Sequence, residues 1–182
     1  MISLKLALVI GCLSLFAICS PAHAEDLGQV KSVRINIYED NAPEGGKHGD
    51  VIADFANKKG VKLTAKPNAR EVKIASDHKT IGWIAGDVEM YREDPWYFSK
   101  ALVVYRDGKI IQTVKPARFV YSWAFKQDGR QLVVASQGMH GSIIMELFDI
   151  STGKKLGRSM NYDKKKPSWT KYVPDPHKII FD

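Results

Sequence analysis

Cysteine is almost missing from this chain. Only Cys12 and Cys19 occur, and both lie in the first two dozen residues. The remainder can form no disulfide, no Cys-ligated zinc site and no thiol nucleophile. Its stability must come from a packed core. Helical periodicity is scarce as well. Beyond the leader, only "GDVIADFANKKG", Gly49 to Gly60, spaces Val51, Ile52 and Phe55 as a helix face would and ends on a glycine. A short helix is expected there. Enzyme signatures are also lacking. There is no G-x-S-x-G, so no nucleophile elbow. "STGK", Ser151 to Lys154, fits S-x-x-K but has no S-D-N or K-T-G partner, and reads as a turn. "APEGGKH", Ala42 to His48, lacks the P-loop spacing and reads as a mobile loop. His48, His78, His140 and His177 show no ligand spacing, so neither metal nor cofactor is expected. Glu89, Glu93 and Asp94 could serve glycosidic chemistry but crowd into one polar insertion, which reads as a solvated loop. No catalytic residue is assigned.

What is present begins with a leader. "MISLKLALVIGCLSLFAICSPAHA" carries one charge, Lys5, then an apolar stretch, Pro21, and Ala22-His23-Ala24. Small residues at those two positions suit a signal peptidase, so residues 1–24 read as a secretory signal peptide cut after Ala24. The apolar run is short for a spanning helix, and "VIGC" at Val9 to Cys12 comes too early for a lipobox. A periplasmic protein without stable membrane insertion is expected. The formal charge is +7, of which the leader holds only Lys5. Export argues against a nucleic-acid partner, and an acidic protein, cell-wall polymer or lipid surface suits the charge better.

After the leader, residues 25–182 read as one all-β domain. "SVRINIY" alternates apolar and polar residues, and "KALVVY" and "KIIQTV" are joined by "RDG" at Arg106 to Gly108. A pattern then recurs: "IASDHKTIGWIA" from Ile74, "AFKQDGRQLVVAS" from Ala124, and "KYVPDPHKIIFD" from Lys171. Its aspartates, Asp77, Asp128 and Asp175, fall about 50 residues apart, a propeller-blade period. Asp accepts backbone N–H groups at a turn, so each copy reads as a hairpin, with His78, Gly129 and Pro176 in equivalent turns. The repeat units run roughly over 61–115, 116–160 and 161–182, with 25–60 as an N-terminal part.

"AFKQDGRQLVVAS…IIMELFDISTGKKLG" resembles a blade of the YVTN or TolB-like β-propellers, with one D-G-[KR] turn and one D-x-x-T-G-K turn. The match covers Ser122 to Gly157, and more loosely Ile74 to Val114. The resemblance implies a partial, about three-blade, β-propeller-like set of antiparallel sheets, since a closed ring needs about four blades. Its open edges need protection. The lysine-rich tail and "SVRINIY" could supply it, the latter by pairing with the last strands. A small exported partial propeller with a glycine-serine loop in its best blade is also similar to periplasmic immunity proteins of type VI secretion amidases. In that family such a loop plugs the toxin's cleft. The corresponding stretch here is "GMHGS", Gly138 to Ser142.

Two connections stand out. Each joins the second and third strands of a repeat, so blade geometry puts both on one face. "SQGMHGS" contributes Gly138, Met139, His140, Gly141 and Ser142. "GDVEMYREDPWYFS", Gly86 to Ser99, reads as a long loop and contributes Tyr91, Arg92, Trp96 and Tyr97, residue types enriched at interfaces. The expected function is non-enzymatic binding or inhibition of a protein partner, in its sharpest form a secreted peptidoglycan amidase. The alternatives are a cell-envelope hydrolase or carbohydrate-binding enzyme using residues 86–99, and an assembly factor completed by a partner.

Overall fold

The computed structural model describes residues 26–37, 48–91, 94–138 and 141–173, with the backbone alone at 90, 91 and 94–96. Residues 1–25, where a signal peptide is expected, residues 42–47, Arg92, Met139, His140, and Asp175 and Pro176 of the expected third turn lie outside the described residues. The chain is all-β. Eleven strands, β1 (Val30–Ile37), β2 (Gly49–Phe55), β3 (Val61–Lys62), β4 (Ala69–Ile74), β5 (Thr80–Tyr91), β6 (Asp94–Arg106), β7 (Lys109–Val114), β8 (Phe119–Lys126), β9 (Gln131–Gln137), β10 (Ile144–Asp149) and β11 (Lys155–Met160), precede a 3-10 turn at Ser168–Tyr172. Among the described residues no helix is long and apolar enough to cross a membrane.

All ladders are antiparallel. Strands β8 to β11 form a four-stranded sheet in simple succession, the blade read from Ser122 to Gly157. Strands β4 to β7 form a second four-stranded run. A single bridge, Gly49 to Ala69, links it to the β1–β2–β3 layer. That layer turns back on the face of β4–β6. Val51, Ala53 and Phe55 pack there against Ile81, Trp83, Val103 and Tyr105. The result is a stack of three antiparallel layers, a partial propeller. Its third described layer comes from residues 30–62, ahead of the two repeats in the chain.

The helix expected over Gly49 to Gly60 is a strand. Val51, Ala53 and Phe55 are buried while Ile52 and Asp54 are only partly covered, a period of two. The helical spacing rested on Ile52, yet the small Ala53 is the residue turned inward. Whether "SVRINIY" also meets the last strands falls outside the described residues, because 174–182 do. Among the described residues it pairs with β2, from Ser32 opposite Asp54 to Ile37 opposite Gly49.

Between the two blades lies the core of Ile84, Leu102, Val104, Leu132, Val134 and Trp123. Trp123 is fully buried, with Phe125 edge-on at 5.2 Å. The Lys73 ammonium donates to the Trp123 carbonyl at 2.5 Å and lies 4.7 Å from its ring centre. The far face of the second blade buries Val133, Ala135, Met145 and Leu147 beneath Val173 and Trp169.

Two of the three aspartate turns are described, and Asp77 bonds the backbone of its turn as the sequence implies. His78, at φ +52°, lies in the β4–β5 turn, and Gly129, beside Asp128 at φ +52°, lies in the β8–β9 turn. Asp77 accepts from the amides of Lys79 and Thr80, both at 2.9 Å. The two turns also touch. Ser76 Oγ donates to Asp128 Oδ1 at 2.6 Å, and Arg106 donates to the Gly129 carbonyl at 2.9 Å. In "STGK", Asp149 Oδ1 accepts from Ser151 Oγ, the Thr152 amide and Thr152 Oγ1, so this stretch is a turn.

Candidate interaction end

The segment Gly86 to Ser99, expected as a loop, is a ladder. β5 runs on to Tyr91 and β6 begins at Asp94, paired from Gly86 opposite Ser99 to Tyr91 opposite Asp94. Alternation in "DVEMY" and the aromatic run "WYF" favour extended pairing. A two-stranded ribbon is marginal by itself and needs packing at its base. Two consecutive aromatics supply that packing on opposite faces, because strand neighbours point opposite ways.

Tyr97 takes one face. It is 4% exposed, stacks on His48 at 5.2 Å, and has the Arg70 guanidinium 5.5 Å from its ring centre. Its hydroxyl donates to the Asn68 carbonyl at 2.6 Å, and burial pushes its pKa up. So Tyr97 is taken up inside the protein and offers no surface to a partner. Phe98 takes the other face, 5.0 Å from Phe119 at the start of β8.

Gly86 sits between them, where the ladder shifts register. A Cβ there would lie 2.1 Å from the Phe98 carbonyl oxygen, so no side chain fits this approach. The Asn68 side-chain amide donates to the Gly86 carbonyl at 2.8 Å. Further out, the Lys100 ammonium pairs with Glu89 and Asp87 along one exposed side. The Glu89 carboxylate raises the Lys100 pKa. Exposed pairs of this kind add little stability.

The connection Gly138 to Ser142 lies beside this base. Phe119 pairs with Gln137 across the β8–β9 ladder. The Gln137 side-chain amide donates to the Gly141 carbonyl at 2.8 Å, and Arg118 Nη1 lies 3.5 Å from the Ser142 carbonyl. Gly141 has φ +136°, which side chains rarely adopt, and is exposed. Contacts therefore run from the ribbon base through Phe98, Phe119 and Gln137 to Gly141. They bring Gly138, Gly141 and Ser142 to the end of the stack where the ribbon projects.

At the opposite end, Arg106 donates to Thr80 Oγ1 at 2.6 Å and lies 3.3 Å from Asp77 Oδ2. Burial pulls the Asp77 pKa up. The Thr80 hydroxyl, the Lys79 and Thr80 amides and the Arg106 charge outweigh it and hold the carboxyl below its ordinary value. This network joins two turns and is fully engaged in doing so. Among the described residues, no three His, Cys, Asp or Glu side chains gather as a metal site would require.

No protein-family model matches this chain, and no curated protein matches it. Among solved structures, it is similar to the β-propeller domain of the trilobed protease from Pyrococcus furiosus, at 14% identity and a TM-score of 0.45. The likeness covers 78% of this chain and 43% of that one, so the chain spans less than half of that neighbour's length.

The sequence could not show the ribbon's anchoring. Its aromatics were visible as a group, but only the register separates Tyr97 and Phe98 from the residues beyond them. The strict alternation of Asp87, Val88, Glu89 was the available signal for a ribbon.

Proposed function

We propose that this chain is an exported, non-enzymatic protein-binding module of the periplasm. Its contact surface is the ribbon tip together with the loop Gly138 to Ser142. The observation that carries this reading is the contact path from Phe98 through Phe119 and Gln137 to Gly141. It fixes two outward features against one another on a rigid β-scaffold, where binding segments commonly sit. The loop is short and open at Gly141, suited to a narrow cleft. The ribbon is long and stiffened at its base, suited to covering area. In its narrowest form the partner is a secreted peptidoglycan amidase whose cleft receives the loop, and the chain inhibits by occupying space.

The test is capture of the partner from the cell envelope, followed by affinity measurements for Trp96→Ala and Gly141→Trp. Truncating a central tryptophan is expected to cost at least about 2 kcal/mol, and the bulky residue to block entry of the loop. Folded variants that both bind like the parent would place the surface elsewhere. Turnover of cell-wall material by the purified protein would overturn the binding reading. Export is tested separately by N-terminal sequencing of periplasmic material, which should begin at Glu25.

A further inference from the structure

We propose a second binding site, away from the ribbon tip: a groove that takes an extended peptide alternating apolar and acidic residues. It lies at the step where the β1–β3 layer ends and the face of β6–β7 is left partly uncovered. Two adjoining cavities, about 420 and 260 Å³, share Leu63 and Ile110 in their linings. Tyr105 contributes to the floor of the larger, and Trp83, Ala85 and Val103 to that of the smaller. Ile110 is 53% exposed, a large apolar side chain left in water on an edge strand. An open groove with an apolar floor and a basic rim marks an interaction site more often than bare surface does.

The shape of the step is that of a missing strand. β3 has only two residues and pairs with Ile52 and Ala53 of β2. Among the described residues no further strand continues that layer, and β7 ends the β4–β7 run. Among the described residues β3 pairs only with β2 and β7 only with β6, so both border the groove as edges. An added extended segment would use those edges and set alternate side chains toward Leu63 and Ile110.

Charge decides the chemistry of the other side chains. Lys58, Lys62 and Lys109 line the larger cavity and Lys66 the smaller, with no carboxylate in either lining. Lys62 is held by the buried Asp50 at 2.6 Å, so its charge is answered from within. Lys66 and Lys109 are exposed, one in each lobe. Positive charge spread along both lobes fits carboxylates repeated along a chain. A fatty acid would need its charge at one end only.

The experiment uses the full chain and a fluorescent peptide of about eight alternating valine and glutamate residues, within ordinary strand length. A valine–lysine peptide and decanoate serve as comparison probes. The valine–glutamate peptide should bind, more weakly as salt rises. Ile110→Asp, and separately Lys66→Glu with Lys109→Glu, should each weaken it by about tenfold or more. Thermal melts confirm that these exposed substitutions leave the fold intact. Variants at Trp96 and Gly141 should bind the peptide as the parent does, which separates this site from the ribbon end. Equal binding of the valine–lysine peptide, parent-like binding by both groove variants, or no peptide binding would each overturn the proposal. Tight binding of decanoate that excludes the peptide would assign the groove to an amphiphile instead.

Discussion

Glu146 is a carboxylate with no exposed surface, in the middle of β10. Its Oε2 accepts from the Ala117 amide at 2.9 Å, which pins the crossover between the blades. Its Oε1 has no well-aligned hydrogen-bond donor, but the Lys155 ammonium lies 2.5 Å away. The Lys155 side chain is 47% exposed, so the pair is asymmetric: the negative partner is in the protein, the positive one half in water. Replacing Lys155 by Met strands the buried charge, while replacing Glu146 by Gln leaves a lysine that water can solvate. Removing one partner of a buried pair costs about 3–5 kcal/mol, and the wet lysine places Lys155→Met near the lower end. At about 2–4 °C per kcal/mol for a domain of this size, its melting temperature should fall by about 6–12 °C. Glu146→Gln keeps an acceptor for Ala117 and should cost about 1 kcal/mol. The double variant should recover most of the loss, because a neutral amide needs no counter-charge. Urea titrations followed by circular dichroism give all three values and their coupling. Parent-like stability of Lys155→Met, or a double variant no better than it, would refute the claim that Glu146 is buried as a charge.

Asp77 gives a pH signature. Its folded pKa is depressed, so its contribution is present above the unfolded carboxylate value of about 3.9 and is lost as pH falls through the lower folded value. Asp77→Asn should flatten acid unfolding in that window, and a curve unchanged from the parent's would count against the network. Gly86→Ala forces a Cβ onto the Phe98 carbonyl, and such overpacking should cost about 1–3 kcal/mol in a urea titration. Tyr97→Phe deletes the bond to Asn68 and should cost about 1 kcal/mol, with ribbon amides exchanging faster than in the parent.

The blade from Ser122 to Gly157 was legible because turn chemistry and strand period agree there. The "QDGR" turn closes from the Arg130 amide to the Gln127 carbonyl, Asp149 accepts from the Thr152 amide at "STGK", and the runs between them are rich in β-branched residues. The N-terminal layer was less legible. Val51, Ile52 and Phe55 satisfy a helix face, and only the partner surface of Trp83 and Tyr105 decides that Val51, Ala53 and Phe55 face inward. The ribbon failed for a related reason. Glu89, Glu93 and Asp94 made the segment look like a solvated loop, whereas strands carry such charges readily when one side stays wet. The groove at Leu63 and Ile110 had no local signal at all. It exists because two layers from distant parts of the chain end at different places.

The two ends of the stack are secured by different physics, and the difference bears on the proposed contact. At the turn end, Arg106, Asp77, Thr80 and Gly129 are tied by charged, directional bonds, so the layers cannot shear there without breaking them. At the ribbon end, the ties are aromatic contacts at Tyr97 and Phe98 around the crowded Gly86. Aromatic packing holds the ribbon base in position, and the ladder continues beyond it to Tyr91 opposite Asp94. A partner meeting this end would therefore find a preset base. Little ordering entropy would be lost at the base on binding, which favours affinity per unit area. Substitution of Val88, which is 45% exposed on the ribbon, should act on complex lifetime while leaving the melting of the free protein nearly unchanged.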